Sequence, residues 1–218
     1  SSVFMLGCSP TYVLRAAYEQ SKILLAREPI EEVLESSEIS EERRLKLKVA
    51  SDARAFAKRI DLKVGGAFSD YVDVQRDVLT WVVVGSKKDS FQLHSWWFPI
   101  VGSVPYKGFF EKDDAVKEAR GLERKGFETS VRGAETFSTL GWFDDPLLST
   151  TLDKSPVHIA NTVIHESVHS TVWIKGSVSF NESLAHFVAT EATRQFFRTV
   201  PFDYLADDIR NTLIARAE

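Results

Sequence analysis

Residues Val163 to Phe187 read VIHESVHSTVWIKGSVSFNESLAHF, and the fold turns on how this stretch divides. Ser155 followed by Pro156 supplies an N-cap and a first helical position. Apolar Val157, Ala160, Ile164, Val168 and Val172 then keep a helical period up to Gly176. That helix puts His165 and His169 one turn apart on one face, so both imidazoles can reach one ion. Glu166 projects about 100° around the helix and lies beside such an ion rather than on it. A carboxylate so placed can take a proton from an attacking water. The plainer alternative is an amphipathic helix carrying two exposed or otherwise satisfied histidines.

A catalytic zinc takes three protein ligands, so the second half of the stretch matters as much as the first. SFNESLAHFVATEATRQFFRT, residues 179–199, predicts another helix with apolar Phe180, Leu184, Phe187, Val188 and Phe196, ending before Pro201. Glu182 in its first turn is the candidate third ligand. Against this stands a capping box, Ser179-x-x-Glu182, in which the carboxylate only binds backbone N–H groups. His186, one turn beyond Glu182, is expected to orient a ligand or line a substrate pocket rather than bind metal. His158, about two turns before His165, shares its helical face.

Outward from this stretch, residues 11–26 and 36–60 each carry a helical stripe. In the second, Ser40 is the expected N-cap and Leu45, Val49, Phe56 and Ile60 the apolar positions. DVLTWVVVG and SFQLHSWWFPIVG, separated by SKKD, predict two strands and a turn, with His94 structural. EKDDAVKEARGLERKG predicts a third helix closed by Gly126, and FETSVRG a short strand. AETFSTLGWFDDPLLSTTL has no clear period and is expected to be a loop or edge strand rather than core. No repeat or linker divides the chain.

With 218 residues, 44% hydrophobic and 27% charged, the chain has the composition of a folded protein. A net charge of -4 leaves no electrostatic footprint for nucleic acid. The single cysteine, Cys8, ends the run SSVFMLGC, which has the character of the tail of a bacterial lipoprotein signal. The alternative is an apolar cysteine at the start of the first helix.

GCSPTYVLRAAYEQSKILLAREPIEEVL, VPYKGFF, ETFSTLGWFDDPLLST, VIHESVHSTVW and FNESLAHFVA occur in this order along most of the chain. On these segments it resembles the bacterial predicted, or putative, aminopeptidases, HExxH zinc peptidases of the gluzincin type. The resemblance implies His165, His169 and Glu182 as Zn²⁺ ligands, Glu166 as catalytic base and a peptide as substrate. It further implies an α+β fold: a mainly helical, zincin-like single domain over residues 9–218, with a small β-sheet and an HExxH helix. Residues 1–8 would be the remnant of a lipoprotein signal, placing the protein in the bacterial cell envelope, periplasmic and membrane-attached through lipidated Cys8.

Two departures accompany the likeness. His186 stands where many gluzincins place an acid, and the family usually continues past the helix carrying Glu182. The chain is therefore a short member or one truncated at its ends. Ser138 to Asp145 could pair with an extended peptide as an edge strand. Tyr106 is a candidate oxyanion donor, its alternative being a half-buried turn tyrosine. Glu135, Asp144 and Asp145 are available to capture a free amino terminus. The alternative function is a non-catalytic, envelope-anchored binding protein with a structural zinc site.

Overall fold

The computed structural model describes residues 10–98, 102–134 and 145–218. In chain order its elements begin α1 (Pro10–Leu25), β1 (Glu28–Pro29), α2 (Ile30–Glu35), α3 (Glu41–Arg59), β2 (Asp70–Val72) and β3 (Thr80–Lys87). They continue β4 (Trp96–Phe98), β5 (Gly102–Val104), β6 (Lys107–Phe109), α4 (Lys112–Glu123) and β7 (Phe127–Ala134). The last are β8 (Leu147–Leu148), α5 (Ser149–Leu152), α6 (Pro156–Thr171), α7 (Val178–Thr199) and α8 (Asp207–Ala217). The fold is α+β, with small sheets. Two compact units share it: Ser1–Leu25 with Arg76–Phe137, and Ala26–Gln75 with Ser138–Glu218. Cys8, Glu135, Asp144 and most of the expected 138–145 edge strand lie outside the described residues. No helix among those described is long and apolar enough to cross a membrane.

The first unit is built on an antiparallel sheet of order β6-β3-β7, with α4 packed on β3 and β7. Val83, Trp96, Phe109, Ala115, Ala119 and Leu122 form its core. Gly85 permits the close approach of α4, because a Cβ there would meet Leu122 Cδ1 at 3.1 Å. Gly126, at φ +84°, closes α4 as its position in the sequence predicts. The turn at SKKD is also present, but the two strands beside it do not form a ladder. A single bridge, Ser86 to Leu93, links them, and β4 pairs with β5 instead. His94 is held by packing: its ring meets Trp96 and Phe127 edge-on, with centroids 4.6 and 5.1 Å away. Burial pushes its imidazole pKa down. Tyr106 lies in the turn before β6 and is 39% exposed.

The second unit is mostly helical. Ser40 caps α3 as expected, accepting from the Arg43 N–H, and α3 packs against α6, which in turn packs against α7. Leu47, Phe56, Leu147, Ile159, Val163, Ile164, Phe196 and Phe197 are among the residues filling the shared core. Phe56, Phe196, Phe197 and Phe202 meet mostly edge to face, at 4.8–5.6 Å. Burying each such ring contributes about 1.5–3 kcal/mol. A small sheet of order β1-β2-β8 flanks the helices, with β2 antiparallel to β1 and parallel to β8.

Two expectations need correction here. The segment expected to be loop or edge strand rather than core does hold an edge strand, β8, but Leu147 to Leu152 are all buried and belong to the core. It lacks a period because a strand and a one-turn helix bury every residue rather than one face. The apolar stripe expected on α7 is right at buried Phe196 but wrong at Phe180 and Phe187, which are 52% and 66% exposed. The buried face of α7 is Asn181, Ala185, Ala189, Ala192, Thr193, Phe196 and Phe197. Small residues at four-residue spacing let the α7 axis come close to α6, and that closeness outweighs the burial of two rings.

Candidate metal centre

α6 starts as the sequence predicts, with Pro156 in its first turn and the Ser155 hydroxyl accepting from the His158 N–H. It ends at Thr171 rather than running to Gly176, and Val172 is 41% exposed. Its period brings His165 and His169 together as a ring pair with centroids 4.7 Å apart. Trp173, one turn further, closes edge-on against His169 at 5.3 Å. His169 is buried, while the His165 side chain is 21% exposed.

Glu182 arrives from α7. Its carboxylate oxygens lie 3.5 Å from both histidine Nε2 atoms, Oε2 toward His165 and Oε1 toward His169. The capping box is not formed. α7 begins at Val178 with Ser177 as an N-cap that makes no side-chain bond, so Glu182 is the fifth helical residue and beyond reach of a cap. Asn181 instead fixes this end of α7. Its Nδ2 donates to the Ile174 carbonyl at 2.9 Å, and its Oδ1 accepts from the Ile174 N–H at 3.0 Å. Asn181 is 1% exposed, and this clamp on the α6–α7 loop holds Glu182 opposite the histidines.

One candidate ligand atom from each of His165, His169 and Glu182 lies within 4.8 Å of the others, and the group could hold a metal ion. Two of its separations are of the size a metal site needs. Zinc bonds of 2.0–2.2 Å in a tetrahedral site require neighbouring ligand atoms roughly 3.4 Å apart, and the two Nε2-to-carboxylate distances are 3.5 Å. Hydrogen bonds from His165 and then His169 hold the Glu182 carboxyl down to about 2, against the opposing effect of burial. A carboxylate kept ionised in this way is already in the form a cation needs.

Glu166 follows His165 on α6. Its Oε2 is buried with no hydrogen-bond partner among the described residues, and so is His169 Nδ1. An ionisable oxygen left bare in a protein interior is costly unless something occupies the space it faces. His186 and His158 are exposed and do not join the three-residue group. Asp145 is buried, and its carbonyl accepts from the Phe68 N–H at 2.8 Å. Asn181 and Trp173 were not legible as site residues. The available signals were a polar residue on the buried face of α7, adjacent to Glu182, and a tryptophan four residues after His169.

The model of the family described as Putative aminopeptidase matches residues 11–214. No curated protein and no solved structure matches the chain.

Proposed function

The chain belongs to the Putative aminopeptidase family, and from that premise we propose that it is a zinc metallopeptidase of the gluzincin type that removes residues from peptide amino termini. The observation that carries the reading is the facing of two imidazoles and one carboxylate, beside a buried carboxylate oxygen without a partner. His165, His169 and Glu182 would hold the ion. When bound, zinc supplies a Lewis acid that polarises the substrate carbonyl and lowers the pKa of water to about 7. Glu166 takes a proton from the water as its oxygen adds to the peptide carbonyl. It then delivers that proton to the departing amine as the C–N bond breaks. Trp173 and the buried setting of His169 keep one side of the pair dry, which strengthens charge interactions there. A purely structural zinc clasp would have no use for the bare Glu166 oxygen, so the non-catalytic reading is not favoured. Attachment to the envelope through a lipid-modified Cys8 belongs to the same proposal.

The test is zinc content and turnover in one preparation. Wild type should bind about one zinc per chain and cleave peptides with a free amino terminus in preference to N-blocked ones. Glu166→Gln should keep the zinc and lose about 10²–10⁴-fold in rate, the range that general bases contribute. A wild type that binds no zinc when it is offered, or a Glu166→Gln protein of undiminished activity, would sink the mechanism.

A further inference from the structure

The helical unit carries a concave site where α6, α7 and α8 meet. Its cavity of about 300 Å³ is lined by Ser155, His158, Asn161, Thr190, Thr193 and Arg216, and no acidic side chain lines it. That is the size at which small-ligand pockets begin. Its charge is one-sided. Neither the Arg216 guanidinium nor the His158 imidazole makes a hydrogen bond or ion pair among the described residues.

The acceptors that follow Arg216 in the chain are engaged elsewhere. The carbonyls of Ala217 and Glu218 accept from Arg194, and the Glu218 carboxylate pairs with Arg198. Ser155 and Val157 also line the cavity, so the first turn of α6 and the positive end of its dipole adjoin it. Thr193 is 2% exposed, and Asn161 Nδ2 donates to its hydroxyl at 3.4 Å, which gives the cavity a fixed polar floor. A guanidinium, an imidazole, a helix N-terminus and neutral polar groups together describe a receptor for a small anion.

Its place relative to the metal group names the anion. His158 precedes His165 by seven residues, which is about 10 Å along the helix and about 20° around it, so both face the same way. On α7, His186 and Thr190 follow Glu182 in four-residue steps toward the cavity. An extended peptide advances about 3.3–3.6 Å per residue, so about three residues join the two places.

We propose that this cavity is the carboxylate subsite of the peptide-binding face, taking the free C-terminus of a short peptide whose cleaved bond lies at His165, His169 and Glu182. The inference rests on the metallopeptidase reading and deepens it. Arg216 grips the carboxylate with two parallel N–H donors and His158 adds a third. The substrate class is peptides of about four residues, one before the cleaved bond and about three after it. Longer chains and C-terminal amides are disfavoured because they leave Arg216 unpaired.

The decisive measurement is calorimetric binding of tetra-alanine and of its C-terminal amide to zinc-loaded Glu166→Gln protein, which reads affinity without turnover. The acid should bind about 10-fold or more tighter than the amide, and the ratio should fall to near one in the Glu166→Gln/Arg216→Gln double variant. Arg216 is exposed on the last turn of α8, so its replacement leaves the core intact. His158→Gln in the same background should lower the ratio by a smaller factor. Equal binding of acid and amide, or a preference that survives both replacements, overturns the proposal. Hydrolysis by wild type separates the two readings. Cleavage without any acid preference removes the carboxylate subsite and leaves the metallopeptidase. An Arg216-dependent acid preference with no cleavage of any peptide removes the metallopeptidase and leaves the carboxylate site.

Discussion

α6 and α7 supply the same cluster by different means. α6 starts where its own residues dictate: a serine cap, a proline in the first turn, then two histidines whose common face follows from four residues of helix. α7 starts without a side-chain cap, and its fourth residue, Asn181, is held by a hydrogen-bonded pair to the preceding loop. The histidine pair is thus a local product, whereas the position of Glu182 depends on the loop clamp and on the small-residue face of α7. A metal group drawn from both helices is only as well formed as its less local half.

The largest expected effect comes from removing that half. Glu182→Ala should weaken zinc retention by more than the 10–100-fold seen when a mere supporting partner is lost, as read by competition with a chelator. Unchanged zinc affinity would mean that α6 alone makes the site. Asn181→Ala should follow, costing about 1–3 kcal/mol for two hydrogen bonds and lowering zinc affinity as well, because Glu182 loses its anchor. A variant that unfolds more easily yet binds zinc as before would show that the clamp stabilises without positioning. Ser155→Ala should cost about 1 kcal/mol in denaturant unfolding, as a lost cap does, while zinc affinity stays within a factor of two. A marked loss of zinc there would make α6 as dependent on its start as α7.

The smallest effect is a pH dependence in metal-free protein. His165 and then His169 lower the Glu182 carboxyl from its ordinary 4.5 to about 2. A depressed acid contributes stability that is present above about 4.5 and lost as pH falls through about 2. Glu182→Gln should therefore flatten the acid limb of the stability profile in that window. Identical profiles for the two proteins would show that the ion pair adds nothing before metal arrives.

Legibility in the sequence followed the same division. α1, α3, α4 and α6 could be read because caps, closing glycines and one-sided stripes are local signals, as Ser40, Gly126 and Ser155 show. β3 could be recognised as a strand, but its neighbours β6 and β7 could not be chosen, since pairing brings together residues distant in sequence. Leu147 to Leu152 read as irregular for the opposite reason, because full burial erases the contrast on which a period depends.

By itself the sequence determined the helix that carries His165, Glu166 and His169, since 3.6 residues per turn fix their relative directions wherever that helix lies. It also put forward Glu182 as either a cap or a ligand. Only the tertiary structure removed the cap: the packing of α7 through its small-residue face and the Asn181 clamp set that carboxylate 3.5 Å from both imidazoles, in a group that could hold a metal ion. The physical reason is range. Helical periodicity acts over one turn, while the facing of two helices is settled by the packing of residues far apart in the chain.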